Sequence, residues 1–329
     1  MNSHLRPKPL GVALSGGHLA ALLADRRLAG RLDASGLAFA VAGIDRIDGA
    51  APGSATVEST IAIATLAARA PRLGWLAAAA VHRDHPYNLA RRVASADHLS
   101  DGRTGLVIGA IDGYAPDSGA GAWGGAGLTP GAPLGLPTTL DAASAIRELW
   151  LSWPSSSIVA DRATGIYARG EQIVHIDHRG VFNIEGPLTV PTTPQVAPVL
   201  AWYARSSGEV TAARAVADVL IVPPGLLPAA GNGPGGATPR LLAEVPAGDD
   251  RLTGYLADDQ VAGVILRPPA GDQALDEFFR EVLPLLAAAG AVHAGWTGTL
   301  RERLSLAAPP PLAAGRPAFP APVPRTTHA

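Results

Sequence analysis

The chain has 329 residues, 47% of them apolar and 16% charged, which excludes a disordered polypeptide and allows a large core. A formal net charge of −2 leaves no basic footprint for nucleic acid, and the lack of cysteine excludes disulfides and thiolate metal sites. No apolar run reaches the roughly 18 residues that cross a bilayer, so no membrane partner and a cytoplasmic location are expected.

Leu10–Leu14 reads as a first strand. Arg6 and Lys8 ahead of it resemble the start of a signal peptide, but Gly16-Gly17-His18 breaks the apolar run too early. A helix is expected over His18–Leu32 and a second strand over Leu37–Ala42. Val57, Ile61, Ala64 and Ala68 recur at helical spacing, with Ser54 or Thr56 available as the cap. Leu73–Val81 is the third strand. Pro86 suits the first turn of the next helix, where its missing N–H is no loss, and Leu89, Val93 and Ala96 mark its buried face. Ser100-Asp101-Gly102 is turn chemistry, and Thr104–Ile108 is a fourth strand apolar on both faces.

Asp112–Thr139, dominated by Gly, Ala and Pro, predicts a long surface loop. Leu140–Trp153 follows as a helix. Ser155–Pro198 then reads as an insertion in which Ile173–Asp177 and Val181–Ile184 flank a turn at His178-Arg179-Gly180. Val199–Ala204 is the fifth strand, Ser207–Val216 a helix and Val219–Val222 the sixth strand. No helix is expected in Pro223–Thr238. Arg240–Val245 and Val261–Leu266 are strands seven and eight, separated by a short helix over Asp250–Asp258. The last helix, Asp272–Ala289, carries Leu275, Phe278, Phe279, Val282 and Leu286 on one face; Asp272 caps it, Pro284 should kink it and Gly290 should stop it.

Eight short apolar strands, most followed by a helix, have the rhythm of a (β/α)8 barrel, an α/β fold; an open doubly wound sheet is the rival. The expected organisation is one barrel domain over residues 1–306, with 111–198 inserted between strands four and five. A disordered Pro/Ala-rich tail is expected over 307–329.

Gly231-x-Gly233-x-x-Gly236 has the letters of a dinucleotide fingerprint but lacks a strand directly before it and a helix after it. His82-x-x-His85 and His175-x-x-His178 have metal-like spacing without a third ligand, so no metal is expected, and the second pair reads as a hairpin bonding its own backbone. His18 and His82 follow strands one and three, at the barrel rim where chemistry sits, and are the candidate catalytic residues. Ser206 and Ser207 open a helix after strand five, where backbone N–H groups hold phosphate, or where a serine simply caps the helix.

Pro86-Tyr87-Asn88-Leu89-Ala90-Arg91 and Asp97-His98-Leu99-Ser100-Asp101-Gly102-Arg103 resemble motifs of the bacterial luciferase-like flavin monooxygenases. The nearest branch is that of nitrilotriacetate, pristinamycin-forming and dibenzothiophene sulfone monooxygenases. The resemblance extends through Leu149–Trp153, His175–Pro191, Gln195-x-x-Pro198-Val199 and Gly298-Thr299-Leu300-Arg301-Glu302. It implies a (β/α)8 barrel that takes reduced flavin mononucleotide (FMN) from a separate reductase and oxygenates a small organic substrate, often as a homodimer. It also implies that Ser206 lies at the flavin phosphate; with His82 on the rim and Ser207 on the same helix start, it makes the candidate cofactor-binding set.

The chain departs from the family pattern at Gly43 and Val107, where the family has Asp and Asn. It departs again at Gly135-Leu136, in place of Arg-Tyr, and at Trp202–Arg205, and its segment before strand seven is short. These departures define a diverged flavin site. They leave two alternatives open, a non-catalytic binding or accessory barrel and a deazaflavin-dependent oxidoreductase.

Overall fold

In the computed structural model, described for residues 8–50, 57–81, 84–114, 135–231, 239–271, 273–312 and 315–319, eight parallel strands close into a barrel. They are β1 (Leu10–Leu14), β2 (Phe39–Ala42), β3 (Gly74–Ala80), β4 (Thr104–Gly109), β5 (Val199–Tyr203), β6 (Val219–Val222), β7 (Arg240–Pro246) and β8 (Gly263–Arg267). β1 closes the ring by pairing with both β2 and β8. This is the (β/α)8 architecture that the strand rhythm predicts, with the insertion between β4 and β5. No helix among the described residues is long and apolar enough to cross a membrane.

Alternation explains why these runs become barrel strands. Phe39, Val41, Leu76, Ala78, Val107, Val199, Ala201, Ile221, Leu242 and Ile265 point inward and form one buried cluster. Their neighbours along the strands, such as Leu14, Trp75, Leu106 and Trp202, point outward into two clusters shared with the helices. With both faces covered, a strand must be apolar throughout. The interior is tight: a Cβ on Gly11 would lie 2.5 Å from the Phe39 ring.

The helices are α1 (Gly16–Ala24), α2 (Arg26–Asp33), α3 (Ser59–Arg69), α4 (Pro86–Leu99), α5 (Leu136–Leu151), α6 (Ser207–Ala213), α7 (Leu227–Gly231) and α8 (Leu252–Ala257). Then come α9 (Ala274–Glu277), α10 (Leu283–Ala288) and α11 (Leu300–Arg303). The expected helix over His18–Leu32 is two helices, because Asp25 ends α1 in an extended conformation and its carboxylate caps α2. The expected apolar face of α3 is also corrected. Ile61 is 61% exposed, and Ala62, Ile63, Leu66 and Ala67 are buried instead. An Ala-rich helix offers too little contrast between faces for periodicity to decide. Its cap is Glu58, not Ser54 or Thr56, which lie outside the described residues. α7 stands in a segment whose Pro and Gly content predicts no helix.

The final helical stretch is irregular where Pro284 predicts a kink. Residues Phe278–Val282 form a π turn between α9 and α10, just before the proline that cannot donate to the ladder. Gly290, at φ +68°, ends the stretch, and the Ala291 N–H reaches back to the Leu286 carbonyl.

Three of the family-like motifs, Asp97–Arg103, Gln195–Val199 and Gly298–Glu302, meet at the N-terminal base of the barrel. Asp97, fully buried at the end of α4, accepts hydrogen bonds on Oδ1 from the Thr104 N–H (2.8 Å) and the Gln195 amide (2.8 Å). The same Gln195 nitrogen donates to the Thr104 carbonyl at 2.6 Å, and its Oε1 accepts from the Arg301 N–H at 3.1 Å. Burial raises the Asp97 pKa to about 6, against the opposing hydrogen bonds. Asp101 and Gly102 have φ of 51° and 79°, and a Cβ on Gly102 would meet the Thr299 methyl at 2.8 Å, which explains the Asp-Gly turn.

The insertion carries two small antiparallel ladders, Ile158–Asp161 with Ile166–Ala168 and His178–Arg179 with Asn183–Ile184. The second corrects the expected hairpin: His178 and Arg179, expected as its turn, form the ladder in place of Ile173–Asp177, and the turn lies at Gly180–Phe182. The tail is ordered in part. Ala318 N–H donates to the Ile173 carbonyl, His175 N–H donates to the Arg316 carbonyl, and the Arg316 side chain pairs with Asp177 and Glu185. Within the tail expected to be disordered from residue 307, the backbone of 316–318 pairs along 173–175. The Gly-rich run after Asp112, most of the glycine fingerprint, Asp272 and residues 320–329 lie outside the described residues.

Candidate functional site

The C-terminal mouth is built from the residues that follow each strand. Ser15 caps α1, and the capping box is completed by a histidine: Ser15 Oγ accepts from the His18 N–H (3.3 Å), and the Ser15 N–H donates to His18 Nδ1 (3.2 Å). That bond fixes Nδ1 as the acceptor, so neutral His18 carries its proton on Nε2. Nε2 is buried and faces the Pro269 carbonyl without making a hydrogen bond of full geometry to it. Burial lowers the His18 pKa, and Arg267 lowers it further. The nearby Pro269 carbonyl and Asp45 charge push the other way. The imidazole is thus neutral at pH 7 and presents an N–H donor.

Two polar chains cross the mouth. Asp45, buried in the turn after β2, accepts from the Gly16 N–H (2.9 Å) and the Tyr114 hydroxyl (3.3 Å). On the other side the Tyr203 hydroxyl donates to Glu244 Oε2 (2.6 Å), Glu244 Oε1 pairs with Arg267 (3.2 Å), and Arg267 pairs with Asp48. Glu244 is 6% exposed, and burial raises its pKa while the Tyr203 bond lowers it. Burial, with the Glu244 charge, raises the Tyr203 pKa. The geometry gives a phenol, a carboxyl and a guanidinium in series, joined by one hydrogen bond and one ion pair, at the ends of β5, β7 and β8.

The loop after β2 lies over this floor. Gly43, at φ +77°, turns the chain out of β2 into a 3-10 turn over Ile44–Arg46. Ile47 then packs on Gly109 at the end of β4, where an added Cβ would come within 2.6 Å of it. Asp48 reaches Arg267 of β8, and the Arg205 guanidinium, following β5, lies against Gly49.

Of the sequence candidates, His18 sits in the mouth as expected. His82 lies outside the described residues. Ser206 is the exposed N-cap of α6. Its Oγ accepts from the Glu209 N–H (3.3 Å) and lies 3.5 Å from Glu209 Oε1, and the Arg205 N–H points to Oε2 at 3.4 Å. A carboxylate therefore occupies the helix N-terminus that Ser206 and Ser207 are expected to offer to phosphate. Val107 faces the barrel interior, as its alternation with Leu106 and Ile108 requires, whereas Trp202 is turned outward.

The two histidines of the insertion do not converge. His175 Nδ1 bonds the Gly186 carbonyl (2.9 Å), as a self-bonding hairpin would. His178 instead bridges Asp141 (3.1 Å) and Glu148 (3.2 Å) on α5, which corrects the backbone-bonding expectation for that residue. His175, Asp177 and Glu185 bring ligand-type atoms within 4.8 Å of one another, but Arg316 already pairs with both carboxylates.

Sequence reasoning missed Asp45, Tyr203, Glu244 and Arg267. A signal was present for the last two. Glu244 is the one charged residue in the otherwise apolar run Leu241–Val245, and Arg267 ends an apolar strand at the rim.

A family model described as luciferase-like monooxygenase matches residues 12–233. Dibenzothiophene-sulfone monooxygenase of Rhodococcus erythropolis is 32% identical over 155 residues, 45% of this chain and 32% of that protein. A component of the pristinamycin IIA synthase of Streptomyces pristinaespiralis is 32% identical over 145 residues, 44% of this chain and 45% of that protein. The alignments thus span less than half the length of these relatives. EDTA monooxygenase from Chelativorans sp. BNC1 shares the fold, with a TM-score of 0.68 and 18% identity over 92% of this chain and 99% of that one.

Proposed function

We propose, since the chain belongs to the luciferase-like monooxygenase family, that it binds reduced FMN at the barrel mouth and oxygenates a small organic substrate. The observation that carries this reading is His18 Nε2, a buried N–H donor at the rim of β1 that meets the Pro269 carbonyl without a well-formed hydrogen bond. An unpartnered buried donor costs free energy unless a ligand acceptor satisfies it.

The described residues fit the polar ring of a flavin at this donor. At the phosphate end Glu209 opposes the fit, because its carboxylate takes the Arg205 N–H and lies 3.5 Å from Ser206 Oγ, so a phosphate there would meet a second anion. Reduced flavin, when bound, supplies the electrons that activate dioxygen. The chain's own groups do the rest. His18 Nε2 holds and orients the ring, and His82 and Ser206 are assigned to the same ligand. Ile47 and the loop around it limit water at the floor of the mouth. A separate reductase supplies the reduced flavin, and the active form is a homodimer.

Anaerobic titration with reduced and oxidised FMN tests this. Wild-type protein should bind saturably, and His18→Ala should weaken binding about tenfold, the worth of one hydrogen bond of about 1.4 kcal/mol. No binding at millimolar FMN would overturn the proposal. The second reading, a non-catalytic accessory barrel, is favoured by the loop Gly43–Ala50 spanning from β4 to β8 and by Glu209 on α6. It predicts that null titration.

A further inference from the structure

At the opposite end of the barrel, a groove of about 980 Å³ opens where β1, β6, β7 and β8 begin. Arg147, Arg214, Arg240 and Arg301 line it, and Lys8 stands at its edge. The lining carries only two carboxylates, Asp218 and Asp259. Five cations therefore face two anions among the described residues, in a chain whose formal net charge is −2. The excess positive charge is local, and the fold concentrates it.

The way these cations are held matters more than their number. Asp218 is already engaged: it takes Arg147 (3.1 Å) on one oxygen, and Arg301 (3.0 Å) and the Leu200 N–H (3.0 Å) on the other. Arg214 is fixed by backbone carbonyls alone, through Nη2 to Ala229 and Ala230. Arg240 is fixed the same way, through Nη2 to Ser305. Lys8 bonds the Asp258 carbonyl. Carbonyls orient a cation without neutralising it, and the other nitrogens of Arg214 and Arg240 have no partner among the described residues. Arg301, 5% exposed, adds a buried Nε with no hydrogen bond. A planar guanidinium held at one edge presents its remaining donors in a fixed fork, which suits phosphate and carboxylate.

We propose that this groove is a binding site for a small organic polyanion, a molecule carrying two or more phosphate or carboxylate groups. Its volume is that of a site for a metabolite-sized ligand, and its pre-oriented guanidinium groups lower the ordering cost of binding. The N-terminal face of a barrel ordinarily serves stability. Uncompensated, carbonyl-anchored arginines serve stability poorly, because mutual repulsion is left in place. The site is independent of the chemistry at the mouth and stands whether or not FMN binds there.

Calorimetric titration of the full chain with pyrophosphate and with citrate, in low-salt buffer free of other polyanions, tests the site. Saturable binding of either is expected, and which one binds more tightly assigns the phosphate or the carboxylate class. The double variant Arg214→Gln/Arg240→Gln should weaken it at least about tenfold. Asp259→Asn, at an exposed position, should tighten it several-fold by removing an opposing charge. Absence of saturable binding to wild-type protein overturns the proposal. So does unchanged affinity in the double variant once its folding is confirmed by thermal melting.

Discussion

The two ends of the barrel are polar in different ways. Beneath β4 at the base, polar groups are matched: Asp97, Thr104, Gln195 and the Arg301 N–H form one network in which these donors find acceptors, while the arginine groove beside it keeps its excess charge. At the mouth, the groups stand in open series. His18 Nε2 is left over, Glu244 holds a raised pKa between Tyr203 and Arg267, and Glu209 sits on a helix end. The interlocking family residues Asp97, Gly102, Gln195 and Arg301 lie at the base, Pro86 and Tyr87 begin α4 at the other end, and the departures at Gly43 and Arg205 lie at the mouth. Framework and chemistry are thus separated along the barrel axis, and a resemblance carried by framework residues reports the fold more directly than the reaction.

The largest effect should come from breaking the base. Asp97→Ala strands the Thr104 N–H and the Gln195 amide in the interior, and a loss of about 3 kcal/mol is expected in denaturant unfolding. Ligand binding at the mouth should persist wherever the variant remains folded. If binding vanishes while the fold holds, the two ends are not separable.

The pH dependence of stability sharpens the same point. Asp97 has a folded-state pKa of about 6 against an ordinary value of 3.8, so the folded chain binds its proton more readily than the unfolded one. Its contribution is fully present below pH 3.8 and is lost as pH rises through about 6. Glu244 contributes in the same direction. Asp97→Asn should flatten the slope in that window relative to wild type, as read from unfolding midpoints at a series of pH values. An unchanged slope would show that Asp97 is not its source.

At the mouth, Tyr203→Phe leaves Glu244 Oε2 without its donor, at a cost of about 1–2 kcal/mol by thermal melting. The smallest effect on stability should be that of Glu209→Gln, on the order of a few tenths of a kcal/mol for weakening a partly exposed helix-end interaction. That change should nevertheless tighten FMN, because it removes the carboxylate competing for the α6 N-terminus. Weaker FMN binding in this variant would remove the phosphate assignment from Ser206 and Ser207.

The strands are legible in the sequence because burial on both faces demands unbroken apolar runs, and turn residues punctuate them. Leu10–Leu14 and Val219–Val222 match residue for residue. The buried face of α3 is not legible because alanine marks no face, and the break at Asp25 is hidden because one residue ends a helix while capping the next. His18 stands out by its place after a strand. Its tautomer does not, since that depends on the Ser15 N–H, a backbone contact that only the folded turn creates. Tyr203, Glu244 and Arg267 come from three strands, and nothing local in any one of them announces the other two.

Gln195 also sets an order of events. Its nitrogen binds Asp97 and Thr104, which precede it in the chain, while its Oε1 waits for Arg301, 106 residues later. Leu300, from the same late turn, supplies the methyl that fills the space beside Gly74 of β3. During synthesis the first half of the barrel can assemble its own contacts, but its lower end stays unsealed until residues 299–304 have emerged from the ribosome. A nascent chain stalled before residue 300 would therefore expose that lower end to chaperones, and the turn at 299–304 acts as its closing stitch.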